Sequence, residues 1–163
     1  MSARLHNVLV LCTGNSCRSV MAEALLNALG HGRVRAYSAG SRPLGRINDD
    51  ALATLARHGL PTEGYRSQSW EEFRDTPIDI LISVCDAAGG EACPAYLGTA
   101  VRGHWGVADP GHVEGTPEAR IAAFDATFAT LQRRVEAMLH LPLAELGREA
   151  LGAELNRIGR DIR

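Results

Sequence analysis

Cys12 stands at the end of the apolar run Leu9-Val10-Leu11, and Arg18 follows six positions later, across the polar segment Thr13-Gly14-Asn15-Ser16-Cys17. A thiolate and a guanidinium joined by a short loop that opens a helix form a site for nucleophilic attack on a tetrahedral oxyanion. The N–H groups of such a loop face inward and the helix behind it adds its positive end, so a dianion is held with little side-chain help. Arg18 would grip two oxygens at once with its planar fork. The same positive surroundings are expected to lower the thiol pKa of Cys12, and Ser19 could donate a further hydrogen bond to the thiolate. The plainer alternative is a compact apolar cysteine closing a buried strand. That alternative gives neither the glycine-containing polar loop nor the arginine a purpose. The loop lacks the Gly-Lys-Ser/Thr ending of a nucleotide-binding P-loop, and the chain has no lysine at all, which excludes Walker-type phosphate binding.

Three more residues have types suited to the same chemistry. Cys85 and Cys93 bracket Asp86-Ala87-Ala88-Gly89-Gly90-Glu91-Ala92, whose tandem glycines would let a cysteine pass between two partners. A structural zinc site built from Cys12, Cys17, Cys85 and Cys93 is the competing reading; its seven-residue gap is long for a zinc pair, and Arg18 beside the metal would be unfavourable. Asp109 precedes Pro110 in a glycine-rich stretch, where an extended backbone could present the carboxyl to a departing oxygen as a general acid. An Asp-Pro turn without a chemical role is an equal alternative on these residues alone. His104 and His112 show no metal-ligand spacing and read as surface or structural histidines. Asn15 reads as a residue that holds the loop through its side-chain amide.

The elements that must carry these groups follow from periodicity. Val8–Leu11 reads as a first strand, 20–29 as a helix stopped by Gly30, 33–39 as a second strand, and Asn48-Asp49-Asp50 as the cap and first turn of a second helix. The run 78–85 suits a strand covered on both faces, and 101–107 reads more weakly as a fourth. Ile121, Phe124, Phe128, Leu131, Val135 and Met138 recur at helical spacing, with Arg133, Arg134 and Glu136 off that face; beyond Pro142, Leu146, Leu151, Leu155 and Ile158 mark a last amphipathic helix. Alternation of strands and helices implies a parallel sheet flanked by helices, with ligands bound beyond the carboxyl ends of the strands. Cys12, Arg18, Cys85 and Asp109 all fall there. With 163 residues and a formal charge of −2 the chain suits one compact domain, and scattered arginines with 5% aromatic residues give no nucleic-acid footprint. The apolar run at the N-terminus is too short for a membrane span or signal peptide, so a soluble cytoplasmic protein is expected. In that compartment four cysteines point to catalysis, redox cycling or metal binding rather than a disulfide framework.

Cys12-Thr13-Gly14-Asn15-Ser16-Cys17-Arg18-Ser19, Ser38-Ala39-Gly40-Ser41, Val84-Cys85-Asp86 with Cys93-Pro94, and His104-Trp105-Gly106 with Asp109-Pro110 occur in that order. Together they resemble the arsenate reductases of the low-molecular-weight tyrosine phosphatase fold, over roughly residues 6–140. The resemblance implies an α/β fold with a four-stranded parallel sheet flanked by helices over residues 1–141, to which 142–163 adds a C-terminal helical extension. It implies reduction of arsenate to arsenite without a cofactor or metal. Cys12 would attack arsenic, while Arg18 and the loop residues Thr13, Gly14, Asn15, Ser16, Cys17 and Ser19 hold the oxyanion and Asp109 protonates the departing oxygen. Cys85 would then attack Cys12, and Cys93 would attack Cys85, leaving a disulfide for thioredoxin or another thiol reductant. The gap between Cys85 and Cys93 is one residue longer than in the thioredoxin-linked enzymes, which leaves glutaredoxin and mycothiol open as donors. No nucleic-acid or membrane partner is implied. The alternatives are a low-molecular-weight phosphotyrosine phosphatase, which needs neither Cys85 nor Cys93 and usually has aromatic residues after its Asp-Pro, and a non-catalytic thiol module that binds zinc or arsenite.

Overall fold

His6–Leu11 form the first strand, β1, in which only Asn7 is less than buried. So continuous an apolar run suits a strand with neighbours on both edges and layers on both faces, and β1 has both. The computed structural model describes residues 5–85 and 94–163. In it β1 pairs in parallel with β2 (Val34–Ala39) on one side and β3 (Ile80–Ser83) on the other, and β4 (Val101–His104) pairs with β3, giving the order β2-β1-β3-β4. All four strands run the same way, so their carboxyl ends meet at one rim.

Among the described residues four α-helices flank this sheet: α1 (Arg18–Leu29), α2 (Asp49–Arg57), α3 (Pro117–Leu139) and α4 (Arg148–Asp161). Helix α1 packs on β1, β2 and α3, while α4 packs on β4 and α3. Asn48 caps α2 by accepting from the Ala51 N–H at 3.0 Å, and Thr116 caps α3 through Ala119 with Pro117 in its first turn. Among the described residues no helix is long and apolar enough to cross a membrane.

The departures from the sequence reading concern boundaries and two residues of α3. Helix α1 begins at Arg18 rather than Val20; β3 ends at Ser83 and β4 at His104, so Val84, Cys85 and Trp105–Asp109 lie past the strands. Short 3-10 turns at Trp70–Phe73, Ala95–Leu97 and Pro110–His112 were not anticipated. Ile121, placed on the apolar stripe of α3, is 44% exposed, whereas Arg134, placed off it, is 3% exposed. The stripe turns as α3 passes from solvent near its capped start to the α4 interface near its end, and Arg134 is buried because it finds carbonyl partners there. Leu151, Leu155 and Ile158 of α4 join the same hydrophobic cluster as β1 and α1.

Candidate active site

The loop between β1 and α1 is shaped by where its carbonyls go. Those of Cys12, Thr13, Gly14 and Ser16 accept from the N–H groups of Asn15, Arg42, Leu44 and Asn48 at 2.9–3.2 Å. With its oxygens bound to neighbouring segments, the loop turns N–H groups inward: that of Gly14 reaches the Cys12 sulfur, and those of Ser16, Cys17 and Arg18 have no acceptor among the described residues. Helix α1 has no side-chain cap and no acidic residue in its first turn, which keeps its positive end available to an anion. Gly40, at the end of β2, lies so close that a Cβ there would stand 2.3 Å from the Thr13 oxygen and 2.5 Å from that of Cys12. The loop and strand can therefore meet only at glycine.

Asn15 fixes the turn. It adopts φ 44°, a left-handed conformation that asparagine tolerates better than most residues. Its fully buried amide donates to Ser19 Oγ and Ser38 Oγ, both at 2.9 Å, and accepts from the Gln68 N–H at 2.8 Å. Ser38 in turn donates to Glu23 at 2.5 Å, and burial pushes the Glu23 carboxyl up to about 7 despite that hydrogen bond. Ser19, expected to face the nucleophile, is engaged by Asn15 instead, and no hydrogen bond joins it to Cys12.

Cys12 is 6% exposed, and the thiol of Cys85, itself 4% exposed, lies within hydrogen-bond reach of it. The Cys85 sulfur is also 3.8 Å from Thr13 Oγ1. This contact reverses an expectation: the Cys12 thiol is held well above the usual thiol range, first by its hydrogen bond with Cys85 and then by burial, while Arg18 and the Gly14 N–H pull the other way without prevailing. Part of the positive field is directed elsewhere. Arg18 donates to the Val107 carbonyl at 2.9 Å and stands 3.6 Å from Asp109 Oδ2, and its buried Nε has no hydrogen-bond partner among the described residues. Burial and the Asp109 charge push the Cys17 thiol up to about 12.

Asp109 reaches the same space from the segment after β4. One oxygen accepts from the Gly111 N–H at 2.9 Å; the other faces Arg18 and, at 3.3 Å, His112 Nε2. A cavity of about 230 Å3 opens between these groups, lined by Cys12, Gly14, Asn15, Ser16, Cys17, Arg18, Leu44, Asn48, Asp109, Gly111 and His112. The fold thus brings together Cys12, the loop, Arg18, Cys85 and Asp109; Cys93 lies outside the described residues. His112, which reads as a surface or structural histidine for lack of metal-ligand spacing, lines this cavity beside Asp109. The available signal was the Asp-Pro-Gly-His order, which starts a 3-10 turn and returns residue i+3 over the Asp109 carboxylate. Nothing local in the sequence marks Leu44 or the Val107 carbonyl. No three His, Cys, Asp or Glu side chains are grouped to hold a metal among the described residues.

A family model described as low molecular weight phosphotyrosine protein phosphatase matches residues 7–152, which contain this whole site. The chain belongs to that family. Within it, the chain is 32% identical to an arsenate reductase of Halalkalibacterium halodurans over 77% of this chain and 89% of the relative. It is 30% identical to a glutaredoxin arsenate reductase of Synechocystis sp. over 65% of this chain and 79% of the relative. The crystal structure of an arsenate reductase from Archaeoglobus fulgidus superposes with a TM-score of 0.68 at 25% identity, over 82% of this chain and 99% of that one. As a member of this phosphatase-fold family, the protein is an enzyme whose parallel sheet carries its reactive groups at one rim.

Proposed function

We propose that the enzyme reduces arsenate to arsenite. The observation that carries this reading is the Cys85 thiol beside Cys12 at the floor of an oxyanion cradle. Hydrolysis of a phosphate ester needs one buried thiol at that place. A two-electron reduction needs two.

In this reading arsenate takes the inward N–H groups and the unpaired Arg18 Nε as its donors. The Cys12 sulfur bonds to arsenic, and one arsenic–oxygen bond breaks, with the oxygen leaving as water after Asp109 supplies a proton. The Cys85 thiolate then attacks the Cys12 sulfur. A Cys12–Cys85 disulfide forms, the electron pair of the sulfur–arsenic bond stays on arsenic, and arsenite leaves. Cys93 attacks Cys85 in its turn, freeing Cys12, and an external dithiol reduces the Cys85–Cys93 disulfide. Thioredoxin is the donor proposed, with glutaredoxin, named in the Synechocystis relative, as the other candidate.

Stoichiometric arsenate with no reductant tests the scheme. Cys93→Ser should release one arsenite per enzyme and stop as a Cys12–Cys85 disulfide, and Cys85→Ser should release none. With excess arsenate and an external thiol, normal multiple turnover by both variants would discard the relay and leave that thiol as the agent that attacks the Cys12 adduct.

A further inference from the structure

Helix α4 lies largely past the family model, which stops at residue 152, yet it approaches the site from behind. Its contact with β4 and the following segment is made at backbone distance: a Cβ on Gly159 would stand 2.1 Å from the His104 oxygen. The buried Trp105 donates its indole N–H to the Leu155 carbonyl at 2.9 Å, and Asn156 Oδ1 accepts from the His104 N–H at 2.9 Å.

Arg134 of α3 closes this junction. Its guanidinium donates to Trp105 O at 2.6 Å, Gly106 O at 3.2 Å, Gly159 O at 3.2 Å and Ile162 O at 2.8 Å. No carboxylate pairs with it among the described residues. Burying a charge against carbonyls alone is a poor way to gain stability when an apolar side chain could fill the space. What the fork does supply is direction, because a planar group bonded to both segments fixes their relative position. The next residue after Gly106 is Val107, whose carbonyl holds Arg18 at 2.9 Å, and Asp109 follows two positions on.

We propose that Arg134 is a positioning residue: by locking Trp105 and Gly106 to the end of α4, it sets the Val107 carbonyl and thereby the aim of the Arg18 guanidinium into the oxyanion cradle. The inference rests on the reading of that cradle as the arsenate site. Lysine at position 134 keeps the charge but cannot span four carbonyls, so Val107 and Arg18 drift together.

The test measures how much arsenate is needed to protect Cys12 from iodoacetamide with Cys85→Ser as the parent, in which arsenate binds but no disulfide can form. Arg134→Lys should raise that concentration about tenfold, the worth of one misdirected charge-assisted hydrogen bond. In an Arg18→Lys background the same change should have less than about a twofold effect, because contacts that act as a unit are not additive. Asn156→Ala, which removes the α4 contacts with the His104 N–H and the Arg102 carbonyl and a bond to Gly152 within α4 but leaves Arg134 in place, carries the same cycle if Arg134→Lys does not fold, with a smaller loss that again vanishes beside Arg18→Lys. Equal protection of the parent and the folded variants, or a loss that persists without Arg18, overturns the role of Arg134 alone. Failure of arsenate to protect Cys12 in the parent overturns the arsenate reading and this inference with it.

Discussion

The pairing of Cys12 with Cys85 acts in two directions at the scale of single residues. A thiol that shares a hydrogen bond with another thiol is harder to ionise, and here that bond is the foremost reason the Cys12 proton is held tightly. Cys85→Ala should therefore move the midpoint of Cys12 alkylation by iodoacetamide to lower pH and speed it at neutrality, while arsenite production is lost. An unchanged midpoint would show that burial alone governs the thiol. Glu23 makes a second, separable prediction. Its carboxyl titrates near 7 in the folded chain against 4.5 for the ordinary group. The folded state therefore binds the extra proton, and the resulting stability is present in full below about pH 4.5 and is lost as pH rises through 7. That loss is on the order of 3 kcal/mol. Glu23→Gln, which keeps an acceptor for Ser38, should flatten the urea-unfolding stability between those pH values and raise it at pH 8. A slope equal to that of the wild type would place the titration elsewhere.

At the scale of elements, the loop before α1 depends on one side chain. Asn15→Ala removes three buried hydrogen bonds and leaves a Cβ-bearing residue without side-chain compensation at positive φ. A cost of about 2–4 kcal/mol follows, read as a fall in thermal or urea stability together with weaker arsenate protection of Cys12. The existence and order of the main strands and helices were legible from periodicity, because a central parallel strand and a capped amphipathic helix each leave a strong local pattern. The cradle was legible for a similar reason: Cys12, the polar loop and Arg18 are close in sequence. What could not be read were relations made only by folding. The direction of the Cys12 thiol depends on Cys85, and Ser19 is claimed by Asn15 rather than by the nucleophile. Arg134 looks like a solvent-facing residue until the carbonyls of two distant segments converge on it.

For the whole molecule, the question is whether residues 142–163 are an accessory or part of the fold. Leu151, Leu155 and Ile158 are buried in the core cluster that also holds Trp105, on the helix that packs on β4, each contributing roughly 1.5–3 kcal/mol by leaving water. Their sum is comparable with the entire stability of a typical domain, about 5–15 kcal/mol. Truncation after Leu141 should therefore abolish cooperative unfolding and expose Trp105, seen as a red-shifted indole emission; a truncated chain that unfolds cooperatively near the wild-type midpoint would make the segment dispensable. The ladder between β1 and β3 has a further consequence. Leu11 pairs with Ser83, and the Val84 N–H still bonds to the Leu11 carbonyl at 3.0 Å, so the pairing runs to within one residue of each sulfur. Side chains along extended backbone alternate between faces, and this register sets Cys12 level with Val84, so the sulfurs meet because the chain leaves the extended path in a bend at Cys85. One residue inserted between Ser83 and Cys85 would leave every strand pair intact and move that bend along the chain, carrying the second thiol away from the first and converting an enzyme with two adjacent sulfurs into one with a single isolated nucleophile.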